Sequence, residues 1–133
     1  MSPGTKQEEI MQQDSMKAMY AAFNARDIDT VLDTMHPDVD WPNGMEGGRI
    51  HGRDGVRAYW TRQWSLLNPR VDPMQVSEDD FGRMVVDVHQ VVRNLDGVIV
   101  LDQMVRHAYV VENGLIKSME ILEAPSAGPS PKQ

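Results

Sequence analysis

The stretch MVVDVHQVVRNLDGVIVLDQMVRHAYVV, residues 84–111, decides the fold. Its apolar and polar residues alternate and valine is frequent, a pattern typical of β-strands. Asp96-Gly97 near its middle is a strong signal for a two-residue β-turn. We therefore predict two long antiparallel strands, residues 84–93 and 98–111, joined by a tight hairpin.

Further strands are predicted on both sides of this hairpin. Glu112-Asn113-Gly114 marks a second turn, which leads into a strand over residues 115–122. Residues 71–79 fit an edge strand that Pro73 interrupts, because proline cannot donate a backbone hydrogen bond. A meander of antiparallel strands is the expected result.

The first half of the chain has a helical period instead. Apolar residues recur at intervals of three and four in three segments: Met16, Met19, Tyr20 and Phe23; Ile28, Val31, Leu32 and Met35; Val56, Tyr59, Trp60, Trp64 and Leu67. Asp27 is a candidate N-cap for the second helix, and a short extended piece, residues 39–41, follows it. The fold class predicted is α+β, with three N-terminal helices packed on one face of a strongly curved sheet.

Length and composition restrict the class of protein. A chain of 133 residues is the size of one domain, which we place at residues 9–123, between mobile Pro- and Gly-containing tails at 1–8 and 124–133. The net charge of -7 disfavours nucleic acid as a partner, and the absence of cysteine excludes disulfides and thiolate chemistry. With no long apolar run and no signal-peptide pattern, no membrane partner and a cytoplasmic location are expected.

The hairpin register assigns side chains to two faces of the sheet. Counting back from the turn pairs Asp87 with Arg106, His89 with Met104 and Val91 with Asp102 on one face. The other face carries Val86, Val88, Val92, Leu101 and Val105, and with them Gln90, Gln103, His107 and Tyr109. Neither face is cleanly apolar, so the residues alone leave open which one is concave.

Four motifs carry a family resemblance: YAAFNARD (20–27), HPDVDW (36–41), IHGRDGV (50–56) and VVENGLI (110–116). In this order they resemble the SnoaL-like branch of the nuclear transport factor 2-like (NTF2-like) superfamily, over roughly residues 9–122. The resemblance implies a cone, with the sheet wrapped around the helices and a pocket at the open end. It does not imply one function, since isomerases, epoxide hydrolases, polyketide cyclases, dehydratases and binding modules share the fold.

The resemblance also implies positions for site residues. In ketosteroid isomerases the general base precedes a proline after helix two, and a tyrosine and a protonated aspartic acid form the oxyanion hole. Trp41, Met19 and Arg106 stand at those three positions here, so that mechanism is disfavoured. By the same alignment, Arg106 and its face mates point into the cone together with Trp41 and Met119.

We predict a catalytic group of Asp87, His89, Asp102 and Arg106 on that face. Asp102 or Asp87 would act as base, His89 as second proton carrier, and Arg106 as stabiliser of developing negative charge. The alternative is a structural ion-pair cluster that only neutralises the cone.

Six residues are predicted to contact the ligand: Tyr20, Trp41, His51, Trp60, Met104 and Met119. The substrate would be largely apolar with one carbonyl or anionic group. The spacing of the four histidines fits no metal motif, so neither a metal nor a cofactor is expected.

Two functions follow. The first is a small-molecule pocket protein acting as a cofactor-independent hydrolase, cyclase or isomerase. The second is a non-catalytic ligand-binding or dimerisation module. A homodimer through the convex sheet face is expected either way, with Gln90, Gln103, His107 and Tyr109 at the contact.

Overall fold

The structure is a computed structural model that describes residues 5–44 and 46–122, with residues 5–12 described in their backbone only. Helices α1 (Thr5–Asn24), α2 (Ile28–Asp33) and α3 (Gly52–Leu66) match the three predicted segments, except that Met35 and Leu67 begin strands and do not end helices. The Asp27 side chain accepts a hydrogen bond from the Thr30 amide and caps α2, as predicted. Helix α1 begins at Thr5, inside the stretch expected to be a tail, while residues 1–4 and the predicted C-terminal tail lie outside the described residues.

Six strands form one mixed sheet. They are β1 (Met35–Pro42), β2 (Arg49–His51), β3 (Leu67–Glu78), β4 (Met84–Asn94), β5 (Ile99–Glu112) and β6 (Leu115–Leu122), arranged in the order β2-β1-β6-β5-β4-β3. The β1–β6 pair is parallel, and the other pairs are antiparallel. The predicted α+β class and element order are confirmed.

The central β4–β5 hairpin differs from the prediction at its tip. The Asn94 amide donates to the Val98 carbonyl at 2.8 Å, so the loop has three residues, ending at Gly97 with φ of 91°, and the two-residue turn is wrong. A bulge then places Val92 opposite Leu101 but Arg93 opposite Ile99. This extra residue in β5 cancels the longer loop, so the predicted pairing of Asp87 with Arg106 still holds.

Strand β3 lies at the sheet edge, as predicted, but Pro73 does not end it. The β3–β4 pairing runs from Leu67 to Glu78 with a register shift between Pro73 and Gln75. An edge strand tolerates proline at such a shift, because only one of its sides needs hydrogen bonds. The result is a strand of 12 residues.

The core lies between the helices and one face of the sheet. Val86, Val88 and Val105 from that face pack with Met16 and Trp60 from the helices, all of them buried. In β1, Val39 and Trp41 point inward while Asp38 is exposed, because side chains alternate along a strand. The even-numbered residues of β4 and, beyond the bulge, the odd-numbered residues of β5 from Leu101 onward therefore face the helices.

Candidate functional site

A cavity of about 390 Å³ lies between the helices and the concave face of the sheet. Helix α1 supplies Tyr20 and Phe23 to its wall, and α3 supplies Tyr59 and Trp60. The remaining lining residues are Met19, Val31, Trp41, Pro42, Gly44, Gln63, Leu67, Val71, Gln90, Val92, Val100, Leu101, Gln103, Val105, His107, Tyr109, Met119 and Ile121. Most of them are apolar or aromatic, which is the composition of a small-molecule cavity.

A buried network of three polar side chains forms the inner end of the cavity. The Tyr20 hydroxyl lies 2.8 Å from Nδ1 of His107 and 2.6 Å from the Tyr109 hydroxyl. Tyr109 is 1% exposed, Tyr20 3% and His107 8%. Because buried polar groups without partners are costly, these bonds hold the three rings in fixed positions.

Two proton arrangements satisfy this network. Tyr109 can donate to Tyr20, which then donates to Nδ1 of His107 and leaves the ring proton on Nε2; alternatively, Nδ1 donates to Tyr20, which donates to Tyr109. Nε2 of His107 has no hydrogen-bond partner among the described residues, and His107 lines the cavity. It can therefore offer a ligand either a donor or an acceptor.

Burial keeps the network uncharged at neutral pH. Burial lowers the pKa of His107 from 6.5 to about 4, so its imidazole is neutral. Burial, followed by the charge and hydrogen bond of Tyr109, raises the pKa of Tyr20 well above its ordinary value. Burial also raises the pKa of Tyr109, against a smaller opposite effect of its bond to Tyr20. The site is a hydrogen-bonding group and not a charged one.

The mouth of the cavity carries a second polar group. Gln90 and Gln103 are opposite each other on β4 and β5, and the Gln103 amide donates to the Gln90 side-chain oxygen at 2.9 Å. Among the described residues, no Asp, Glu, Lys or Arg lines the cavity.

The predicted catalytic group lies outside the cavity, on the opposite face of the sheet. Arg106 donates to Asp87 through Nε at 2.7 Å, and Nε2 of His89 lies 2.7 Å from Asp102. The expectation that these residues point into the cone is wrong, because odd-numbered residues of β4 and, beyond the bulge, even-numbered residues of β5 face away from the helices. The four side chains do form two cross-strand pairs, with Arg106 33% and Asp102 55% exposed.

Four of the six predicted ligand contacts line the cavity: Tyr20, Trp41, Trp60 and Met119. His51 does not, because it precedes α3 with its side chain 74% exposed. Met104 does not either, since it shares the outer face with Arg106 and is 43% exposed.

The prediction of a convex face is wrong for four residues. The cavity is lined by His107, Tyr109, Gln90 and Gln103. The apolar content of the two faces could have indicated this orientation from the sequence. Their face also carries Val86, Val88 and Val105, whereas the opposite face carries Asp87, Arg106 and Asp102 at the paired positions. The more apolar of two faces is the one that packs against helices.

The sequence model of the SnoaL-like domain family matches residues 16–119. The chain belongs to the SnoaL-like domain family. No curated protein matches this SnoaL-like chain in sequence. None of its helices within the described residues is long and apolar enough to cross a bilayer.

Solved structures agree with this family. The chain is similar to TerC, co-crystallised with polyporic acid, at 30% identity and a TM-score of 0.72, covering 84% of this chain and 89% of TerC. An NTF2-like protein of unknown function from Burkholderia pseudomallei is 28% identical, with a TM-score of 0.73 and the same coverage of 84% and 89%. A putative polyketide cyclase from Sinorhizobium meliloti is 18% identical, with a TM-score of 0.69 and coverage of 81% and 93%, and shares the fold. The predicted family is confirmed.

Proposed function

We propose that this SnoaL-like protein binds an uncharged, largely apolar small molecule in its cavity, with a carbonyl or hydroxyl oxygen of the ligand bonded to His107. The observation that carries this proposal is Nε2 of His107, which has no partner among the described residues, in a cavity lined mostly by apolar and aromatic side chains.

The walls favour a flat aromatic ligand. Trp41 and Trp60 meet edge to face, with ring centroids 5.5 Å apart, and Tyr109 lies 6.1 Å from Trp41. Aromatic rings stabilise one another in such offset and edge arrangements. The volume of about 390 Å³ is within the range of small-molecule cavities.

The ligand is proposed to be uncharged because burying an unpaired charge is costly. An anionic group was expected from Arg106, but Arg106 pairs with Asp87 on the outer face. With His107 neutral at pH 7, no described cation at the cavity wall would compensate an anion. A carbonyl or hydroxyl oxygen needs only one hydrogen bond.

TerC supports a small-molecule ligand for this chain. It was co-crystallised with polyporic acid and is 30% identical over 84% of this chain. Polyporic acid is therefore one probe to test, beside 4-phenylphenol, which carries one hydroxyl on two aromatic rings.

Titration calorimetry with 4-phenylphenol tests the proposal. The wild-type protein should bind it, and His107→Phe should weaken binding about tenfold, the value of one lost hydrogen bond. His51→Phe is the matched control, because His51 lies outside the cavity, and should leave affinity unchanged. Absence of millimolar binding by 4-phenylphenol would overturn the proposal, whatever the result with polyporic acid, which is an acid.

Acid–base catalysis by His107 is the second candidate, favoured by the same free Nε2. Against it stands the pKa of about 4, because protonating the ring at pH 7 then costs about 4 kcal/mol. Exchange of the α-protons of 2-indanone in D₂O separates the two functions. Binding alone leaves the exchange rate at its buffer value, whereas acceleration that disappears in His107→Phe would establish catalysis.

We also propose that the outer sheet face forms a homodimer. Met104 is 43% exposed there, between the Asp87–Arg106 and His89–Asp102 pairs. An apolar centre with ion pairs beside it is typical of such interfaces. Light scattering should give a dimer for the wild type and a monomer for Met104→Lys, while a wild-type monomer at micromolar concentration would contradict the interface.

A further inference from the structure

We propose that Gln90 and Gln103 form a second polar contact for the same ligand, which is then an elongated uncharged molecule with a hydrogen-bonding group at each end. This inference rests on the proposed function and adds the shape and polarity of the ligand to it.

The two polar groups lie at opposite ends of one cavity wall. His107 and Gln103 are four residues apart on β5 and face the same side, because side chains alternate along a strand. At a rise of about 3.3 Å per residue, their backbones are about 13 Å apart. Side chains converge on a concave face, so the ligand groups that they bind would be about 10 Å apart.

The bond between Gln90 and Gln103 leaves one hydrogen-bond donor group and one acceptor of the pair available to a ligand. Its internal bond uses one amide hydrogen of Gln103 and the side-chain oxygen of Gln90. Within the described part of the chain, the Gln90 amide nitrogen and the Gln103 side-chain oxygen have no other partner. One donor and one acceptor side by side fit a hydroxyl or a carboxamide, since both groups can donate and accept.

The wall between these polar groups is apolar. Val105 lies between Gln103 and His107 on the same face and is buried, and Met119, on the neighbouring strand β6, also lines the cavity. A polar group in the middle of the ligand would lose its water without gaining a partner there. The middle of the ligand should therefore be a ring system or another apolar body.

Three biphenyls of increasing polarity test this inference. Biphenyl has no hydroxyl, 4-phenylphenol has one, and 4,4′-biphenol has one at each end, about 10 Å apart. Their affinities are measured by quenching of tryptophan fluorescence, since Trp41 and Trp60 line the cavity. We expect 4,4′-biphenol to bind about tenfold more tightly than 4-phenylphenol, the value of one added hydrogen bond.

Gln103→Met should abolish this advantage of 4,4′-biphenol over 4-phenylphenol. Met104→Gln is the matched control: it makes the reverse exchange one residue further along β5, on the outer face, and should retain the advantage. Equal affinities of 4-phenylphenol and 4,4′-biphenol, or an advantage that survives in Gln103→Met, would overturn the second contact alone. If none of the three compounds binds, the proposed function fails with it.

Discussion

Acidification should destabilise the protein through His107. Burial lowers the pKa of its imidazole to about 4 in the folded chain, against 6.5 as the ordinary value that applies when the chain unfolds. The unfolded chain therefore binds more protons at this residue than the folded chain between these two pH values. The stabilising contribution of neutral His107 is complete above pH 6.5 and is lost as the pH falls toward 4.

The magnitude follows from the two pKa values. Integrating the difference in bound protons from pH 7 to pH 4 gives a loss of about 3 kcal/mol in the free energy of unfolding. For a domain of ordinary stability, 5–15 kcal/mol, this is a large fraction.

The assay is urea unfolding at pH 4, 5, 6 and 7, compared between the wild type and His107→Asn. Asparagine keeps a polar atom near the position of Nδ1 but does not titrate. The wild type should lose about 3 kcal/mol more than the variant over this range, and carboxyl groups common to both cancel in the comparison. His51→Gln, at a side chain 74% exposed, serves as the control and should follow the wild type. Parallel losses in the wild type and His107→Asn, within about 0.5 kcal/mol, would refute the reasoning.

Three further predictions concern stability. Tyr20→Phe removes two buried hydrogen bonds and should lower the free energy of unfolding by about 2–4 kcal/mol in urea, more than Tyr109→Phe, which removes one; equal losses would contradict the network. Arg106→Ala should cost only about 1 kcal/mol, because the pair with Asp87 is partly exposed, and should leave the calorimetric affinity for 4-phenylphenol unchanged. Gly97→Ala should lower the free energy of unfolding by about 1–2 kcal/mol. The cause is the φ of 91° alone, because no atom lies within 4 Å of the added Cβ. An unchanged melting temperature would contradict this backbone strain.

The elements of the fold could be predicted because their signals are local. The period of apolar residues placed α3, and the Asp27 side chain marked the start of α2. Each of these depends on a few neighbouring residues. The β4–β5 pairing was also correct away from the tip, because the added loop residue and the bulge cancel.

The site was predicted less well, because long-range packing determines which face of the sheet lines the cavity. The register gives which residues share a face, but the face that turns toward the helices depends on curvature and on partners distant in sequence. Tyr20 lies 87 positions before His107, and no local pattern pairs them. The family resemblance placed Arg106 inside the cone. The higher valine content of the opposite face was the correct sign of the face that packs against the helices.

The bulge in β5 lies between the loop at the tip of the hairpin and the part of β5 that lines the cavity. Loop length at the tip would normally decide which side chains enter the cavity, because a shift of one residue exchanges the two faces of a strand. Here the extra residue near Val100 absorbs the length of the loop before β5 reaches Gln103 and His107. A two-residue turn without the bulge and a three-residue loop with it therefore present the same side chains of β5 to the cavity.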